Sequence, residues 1–309
     1  MPITFAKFLE YVRTDRILTQ QEMVDLLSSS DPALSKLDLT TFSRWERGVT
    51  SPKLSKQLLI ARVMEEDVVQ LIDPNVKAKE KNKRHFDKMT NRILYPYTAT
   101  PSTFSHYHHG SLLKQQGLCE QLSGFHHDYM GISINAEDLQ TSELVANTFS
   151  DSAGMLVGHL LYGFIPVNQP AAAISPDQLS ACPFIGYDNS SEKIADMYVV
   201  STYGSLPAPR MVSILLMLDI LCANTQVKHL VLNCHDQEAF ALFETSTECE
   251  ILAKGSEVPF GGIKVFGKNY RYVQLRIKAE TILALKVISS LIPFAREYIQ
   301  SLLGSSGTK

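Results

Sequence analysis

Apolar positions recur at helical spacing through the first part of the chain. Phe5, Phe8, Leu9 and Val12 fall on one helix face, and Met23, Val24, Leu26 and Leu27 fall on another after Thr19. Thr19 and Glu22 stand at the spacing of a capping box, in which the hydroxyl accepts from the Glu22 amide and the carboxylate accepts from the Thr19 amide. A third segment runs over 39–47, from Asp38 as N-cap to a stop at Gly48. A fourth follows Pro52, marked by Leu54, Leu58, Ala61 and Arg62. Helices this short are marginal alone and must pack on one another.

From residue 93 onward the pattern alternates. Strands are expected at 94–98, 157–167, 184–187, 194–200 and 227–234, with one or two more within 263–277. Helices are expected over 109–122, 136–149, 210–223 and 236–245, and as one long final helix over 280–303. On that final helix Leu283, Val287, Ile288, Leu291 and Ile292 suit either a core or an interface. The expected fold class is α+β: an all-α N-terminal domain followed by a mixed α/β sheet domain.

Length and charge divide the chain further. At roughly 150 residues per domain, 309 residues make about two domains. A hydrophobic fraction of 45% excludes a mostly disordered chain. The net charge of −3 excludes nucleic-acid binding by the global field. Charge is uneven, however: residues 74–92 carry 7 Lys and Arg against Glu80 and Asp87, between two acidic blocks. This stretch reads as a basic linker between 1–73 and 93–309, or as an arm that follows a phosphate backbone.

There is no run of about 18 uncharged apolar residues. The five cysteines are odd in number and include no CxxC, which fits reduced thiols in a cytoplasmic chain. His106, His108, His109, His126 and His127 match no metal signature and read as polar loop or helix-end residues, so no metal is expected.

Thr19, Gln20, Glu22, Ser43, Trp45, Glu46, Gly48 and Pro52, in this order, resemble the helix-turn-helix of the Cro/phage-repressor (XRE) family over roughly 5–70. The turn between the second and third helices is longer than usual here by several residues. The resemblance implies a recognition helix over 39–47, with Thr40, Thr41, Ser43 and Arg44 toward base edges and Phe42 and Trp45 toward the core. Gln20 matches the family position that binds phosphate, and Arg47, Lys53 and Lys56 are further phosphate candidates. Double-stranded DNA is the implied partner, bound by a homodimer.

Residues 194–255 resemble the second half of the GNAT acyltransferase fold: a strand, a pyrophosphate loop opening an apolar helix, a strand, and a helix of N-x-x-A-x-x-L-Y type. The departures are specific. In a loop of R/Q-x-x-G-x-G/A type, glycines let backbone N–H groups approach phosphates. Here the stretch is Gly204-Ser205-Leu206-Pro207-Ala208-Pro209, in which the later glycines are prolines and Gly204 replaces the arginine. Phe243 stands at the tyrosine used as general acid, and Asp236 at the asparagine.

These losses lead to the expectation of a DNA-binding transcription regulator that is not an enzyme. It has no catalytic residues and no cofactor, and its GNAT-like domain is inactive and serves dimerisation or sensing of a small-molecule or protein effector. Gly204, Ser205, Leu206 and Arg210 form its candidate ligand loop. The alternatives are a DNA-tethered N-acyltransferase using acetyl-CoA and a helix-turn-helix that grips protein.

Overall fold

Thr19 closes its capping box with Glu22, and Asp38 accepts from the Thr41 amide at 2.7 Å, so two helices begin where their polar caps dictate. The computed structural model describes residues 2–92, 104–187 and 193–304. The strand expected at 94–98 lies outside them.

The N-terminal helices are α1 (Phe5–Asp15), α2 (Gln20–Ser30), α3 (Leu39–Glu46) and α4 (Leu54–Val63). Phe8, Leu9, Met23, Leu27, Phe42 and Leu58 are fully buried between them. The long α2–α3 connection is held down by a 3-10 turn, Pro32–Leu34, which sinks Leu34 into the same core. Trp45 is 8% exposed and packs edge-on against Phe5, a core residue rather than a stacking platform. Arg13 on α1 pairs with Glu46 on α3 at 2.5 Å.

The chain then forms α5 (Glu80–Asn91), β1 (Ser105–His109), α6 (Gln116–Phe125), α7 (Ala136–Leu139), β2 (Val145–Ser150), β3 (Leu156–Pro166) and β4 (Ala195–Gly204). After these come α8 (Pro207–Ala223), β5 (Val227–Cys234), α9 (Gln237–Ser246), β6 (Cys249–Lys254), β7 (Glu257–Val258), β8 (Ile263–Val265), β9 (Lys268–Tyr270) and β10 (Val273–Lys278). The described chain ends in α10 (Ala279–Leu283), α11 (Lys286–Ser289) and α12 (Ala295–Gly304).

Among the described residues seven strands make one mixed sheet, ordered β1-β2-β3-β4-β5-β10-β6, in which β4 and β5 are parallel and the other neighbours antiparallel. This is the expected α+β class with a GNAT-like sheet. Alternate residues serve opposite faces. Met197 and Val199 face α8, α9 and the N-terminal helices, while Tyr198 and Val200 face α6 and α7.

Four local expectations are corrected. Residues 105–109, around the start of the expected 109–122 helix, form β1, and the helix itself is Gln116–Phe125. Residues 136–149 make only one short helix before turning into β2, because Val145–Phe149 carries buried residues that pair with β3. At 184–187 a single bridge, Ile185 to Phe164, stands in place of a strand. The long final helix is broken into three pieces: Leu285 is extended between the first two, and Pro293, with no N–H to continue a helix, sits in the 3-10 turn Ile292–Phe294 before the last. Leu283, Val287, Ile288 and Ile292 are buried within the chain, so they are core.

The helical block shares an apolar core with the sheet domain, and a buried cation reinforces the junction. Arg62 on α4 is 3% exposed and donates to the carbonyls of Leu221, Asn224, Thr225 and Val227, at 2.9 Å for Asn224 and 3.2 Å for Thr225. These lie at the C-terminal end of α8 and the start of β5. The last carbonyls of a helix have no intrahelical donor and sit at the negative end of its dipole, so a buried cation there satisfies both needs.

Replacing Arg62 by Met removes four donated bonds, leaving Asn224 O only the Val227 amide and Thr225 O only Lys228 Nζ, and is expected to cost about 3 kcal/mol. Trp45 is the single tryptophan and lies in the helical block. In urea unfolding, its fluorescence transition is expected to coincide with the circular-dichroism transition in the wild type and to precede it in Arg62→Met. Coincident transitions in the variant would show that Arg62 does not couple the two parts.

Candidate active site

β4 and β5 pair in parallel only as far as Val199 opposite Leu232. Beyond this point β4 is bulged at Val200: its pairing with β3 passes from Tyr162–Val199 to Leu161–Ser201. The two strands then diverge, and a cleft opens at their C-terminal ends. Side chains of β5 take over the carbonyls of β4 that a continued ladder would have used. Asn233 Nδ2 donates to Val200 O at 3.0 Å, and His235 Nε2 donates to Thr202 O at 2.7 Å.

The His235 bond sets the chemistry. With the proton on Nε2, Nδ1 is a bare acceptor, and it is covered and without a hydrogen-bond partner among the described residues. Burial lowers the pKa of His235 below its ordinary 6.5, which keeps the ring neutral. Tyr129 and Tyr203 stand beside it, with ring centroids 5.4 and 6.4 Å from the imidazole. Burial raises both phenols above 10, so they remain protonated at neutral pH. Cys234 also lines the cleft, but burial pushes its thiol up to about 12 and removes it as a thiolate nucleophile.

Behind this cluster Phe125 packs edge-on to His159 and stacks on Tyr129. His126 donates from Nδ1 to Leu122 O at 2.6 Å, and burial lowers its pKa to about 4. His159 is buried beside Ser201 Oγ at 2.9 Å and is held well below the ordinary value by burial, then by His126.

The cleft continues into a cavity of about 130 Å³ between α5, α8, α9 and β5. Phe243 lines it, as do Gly204 and Arg210 from the expected ligand loop. Arg210 donates to Gly204 O, and across the cleft to Met89 O at 2.7 Å and Thr90 O at 3.2 Å, closing the C-terminal end of α5. Gly204 permits this approach, since a Cβ there would meet the Arg210 backbone nitrogen at 3.0 Å. Ser205 instead bonds Val157 O through both its amide and its hydroxyl, and Leu206 is the N-cap of α8; neither lines the cavity.

The stretch read as a basic linker therefore forms part of the cleft wall. Phe86 of α5 is buried, and Glu238 on α9 takes His85 Nδ1 at 2.5 Å and Lys88 Nζ at 3.2 Å. The histidines read as loop residues are likewise structural: His106 and His108 lie on β1 and bond Asn147 Oδ1, and His109 bonds Thr148. Among the described residues no group of three or more His, Cys, Asp or Glu is arranged to hold a metal ion.

On the helical block Thr40, Arg44, Arg47 and Lys53 are exposed, and Ser43 and Lys56 half-buried. The Thr41 hydroxyl is taken by Asp38 at 3.0 Å, Arg47 Nε by Ser43 O at 3.2 Å, and the Gln20 amide by Glu46.

The sequence reading missed Tyr129, Tyr203, His159 and His235. His235 had a signal: it directly follows a strand expected to be central, and open α/β sheets place ligands beyond the carboxyl ends of such strands.

No family model matches the chain, and no curated protein matches it. Among solved structures it is similar to Arabidopsis thaliana NAA60 in complex with acetyl-CoA, at 10% identity and TM-score 0.35 over 56% of this chain and 99% of that one. It is also similar to TofI in a ternary complex with an inhibitor and MTA, at 13% identity and TM-score 0.33, covering 59% of this chain and 96% of that one. The AHL synthase LasI is similar at 13% identity and TM-score 0.33, covering 60% and 95%. This likeness is one of fold.

The expectation of a regulator with a catalytically inactive domain, and of a chain that is not an enzyme, is corrected here. That expectation rested on a phenol lost at Phe243, whereas phenols of Tyr129 and Tyr203 stand in that same cleft.

The buried neutral histidines make stability pH-dependent. A pKa depressed in the folded state means that the unfolded chain binds more protons between the folded value and 6.5. Stability is therefore expected to be flat above about pH 6.5 and to fall toward pH 4, by up to about 1.4 kcal/mol per pH unit for each such group. Thermal melts from pH 8 to pH 4 test this, and a melting temperature constant across that range would refute it.

Proposed function

We propose that this chain is an acyltransferase that takes its acyl group from a thioester and is tethered to DNA by α1–α4. The observation that carries the first half is His235: a neutral imidazole whose Nδ1 has no hydrogen-bond partner among the described residues, beside two protonated phenols in a cleft whose cysteine is held as the thiol. The resemblance of residues 194–255 to the second half of a GNAT fold supplies the donor class.

In this reading His235 Nδ1 takes the proton of an acceptor amine or hydroxyl as its nitrogen or oxygen attacks the thioester carbonyl. The new C–N or C–O bond forms, the C–S bond breaks, a phenol of Tyr129 or Tyr203 gives its proton to the departing thiolate, and the proton held on His235 then restores that phenol. Arg92 and Arg210 give the mouth positive charge, which Asp236 offsets in part.

His235→Ala is expected to lower kcat for thiol release from an acyl thioester by about 10²–10⁴-fold, with little change in KM. Because the pKa of His235 is depressed, the wild-type rate is expected to lose its base form only on the acid side of pH 6.5. An unchanged kcat in the variant would remove His235 from the reaction.

Support for DNA tethering is the resemblance of 5–70 to the XRE helix-turn-helix together with the exposed run of Thr40, Arg44 and Lys53. Arg44→Ala is expected to weaken specific binding by about 1–3 kcal/mol and to relax one base preference. Equal loss on operator and random DNA would reduce Arg44 to a phosphate contact, and no salt-dependent DNA shift in the wild type would leave a protein-gripping module.

A further inference from the structure

We infer that the cavity behind His235 takes a linear acyl chain of about six carbons, so that the donor is recognised by its acyl group rather than by its phosphates. This rests on the acyl-transfer reading and names its substrate class.

The phosphate side of the cleft is poor in donors. Pro207 and Pro209, in the first turn of α8, offer no N–H. Arg210, the cation of that turn, is spent on three backbone carbonyls, those of Gly204, Met89 and Thr90. A backbone cradle for pyrophosphate of the kind found at glycine-rich helix starts is therefore not present here.

The acyl side is the reverse. Lining residues run along α8 from Arg210 to Leu221 and along β5 from His235 to Leu230, about 16 Å on each element. The polar ones, Arg210, His235 and Asp236 among them, gather at one end, where the strands diverge. The far end is apolar throughout, built from Met217, Leu221, Leu230, Leu242, Ile282 and Ile288. A space this long that encloses only about 130 Å³ is narrow. Its volume is close to that of a dry cavity that holds one six-carbon ring, and its shape suits a chain instead. A carbonyl placed at His235 would send such a chain inward between α8 and β5.

Calorimetric titration of the full chain with S-acyl pantetheine thioesters tests this, because these probes carry the acyl group without the nucleotide phosphates. Affinity is expected to rise about fourfold per methylene from acetyl to hexanoyl and then to level off. Met217→Trp is expected to bring hexanoyl down to the acetyl level while acetyl binding stays as it was. Ile214→Phe serves the same purpose if a thermal melt shows that the first variant does not fold. Equal affinity for acetyl and hexanoyl, or affinity still rising through dodecanoyl, would overturn the inference. Chain-length-dependent binding without transfer of any acyl group leaves this inference standing and removes the transferase. Transfer from acetyl thioesters with no dependence on chain length does the opposite.

Discussion

The rest of the structure depends on how helix α8 is held at its two ends. Its last carbonyls receive the buried guanidinium of Arg62, which with the shared apolar core binds the helical block to the sheet domain. Burying a cation is costly unless its donors are satisfied, and here four carbonyls, three of them at the negative end of a helix dipole or just beyond it, satisfy them. Glu280, itself buried, adds a compensating charge nearby. The first turn of α8 holds the second arginine, Arg210, which reaches across to the end of α5. An apolar helix thus has a cation at each end, and each cation secures a different neighbour.

The cleft follows from this arrangement. With α8 fixed beside β4 and β5, the divergence of those strands past Val199 and Leu232 leaves a space that side chains must either fill or line. Asn233 and His235 fill the hydrogen-bond vacancies on β4. α5 covers the open side, clamped by Glu238 and Arg210. The lysine-rich run that looks like a hinge therefore has two faces: Phe86 and Met89 turn toward the cavity, while the exposed lysines keep their charge in water.

Legibility in the sequence tracked how local each interaction is. The capping box at Thr19 and Glu22, the Asp38 cap, the extent of β5 and the helix after Asp236 could be placed to within a residue or two, because each depends on neighbours a few positions away. The sheet at 145–150 and the broken end of the chain could not. Val145–Phe149 has the composition of a half-buried helix as much as of a strand, and only its partner β3 decides between them. The site divided in the same way. Arg210 and Gly204 were found from a loop motif, yet the loss at Phe243 was over-weighted, because Tyr129 arrives in the cleft from a wide helical turn far away in sequence.

The sequence by itself determined the helical block, the class of the fold and the identity of α8 as an apolar helix flanked by strands, since periodicity and caps are properties of short segments. Only the tertiary structure decided what is acidic, basic or neutral in the cleft. The tautomer of His235 depends on a carbonyl thirty-three positions earlier, at Thr202. The depressed pKa of the histidines depends on burial by Phe125 and its neighbours, and the use of Arg62 depends on where α8 ends. Such properties arise from desolvation and from hydrogen bonds between distant segments, which no local pattern of residues encodes.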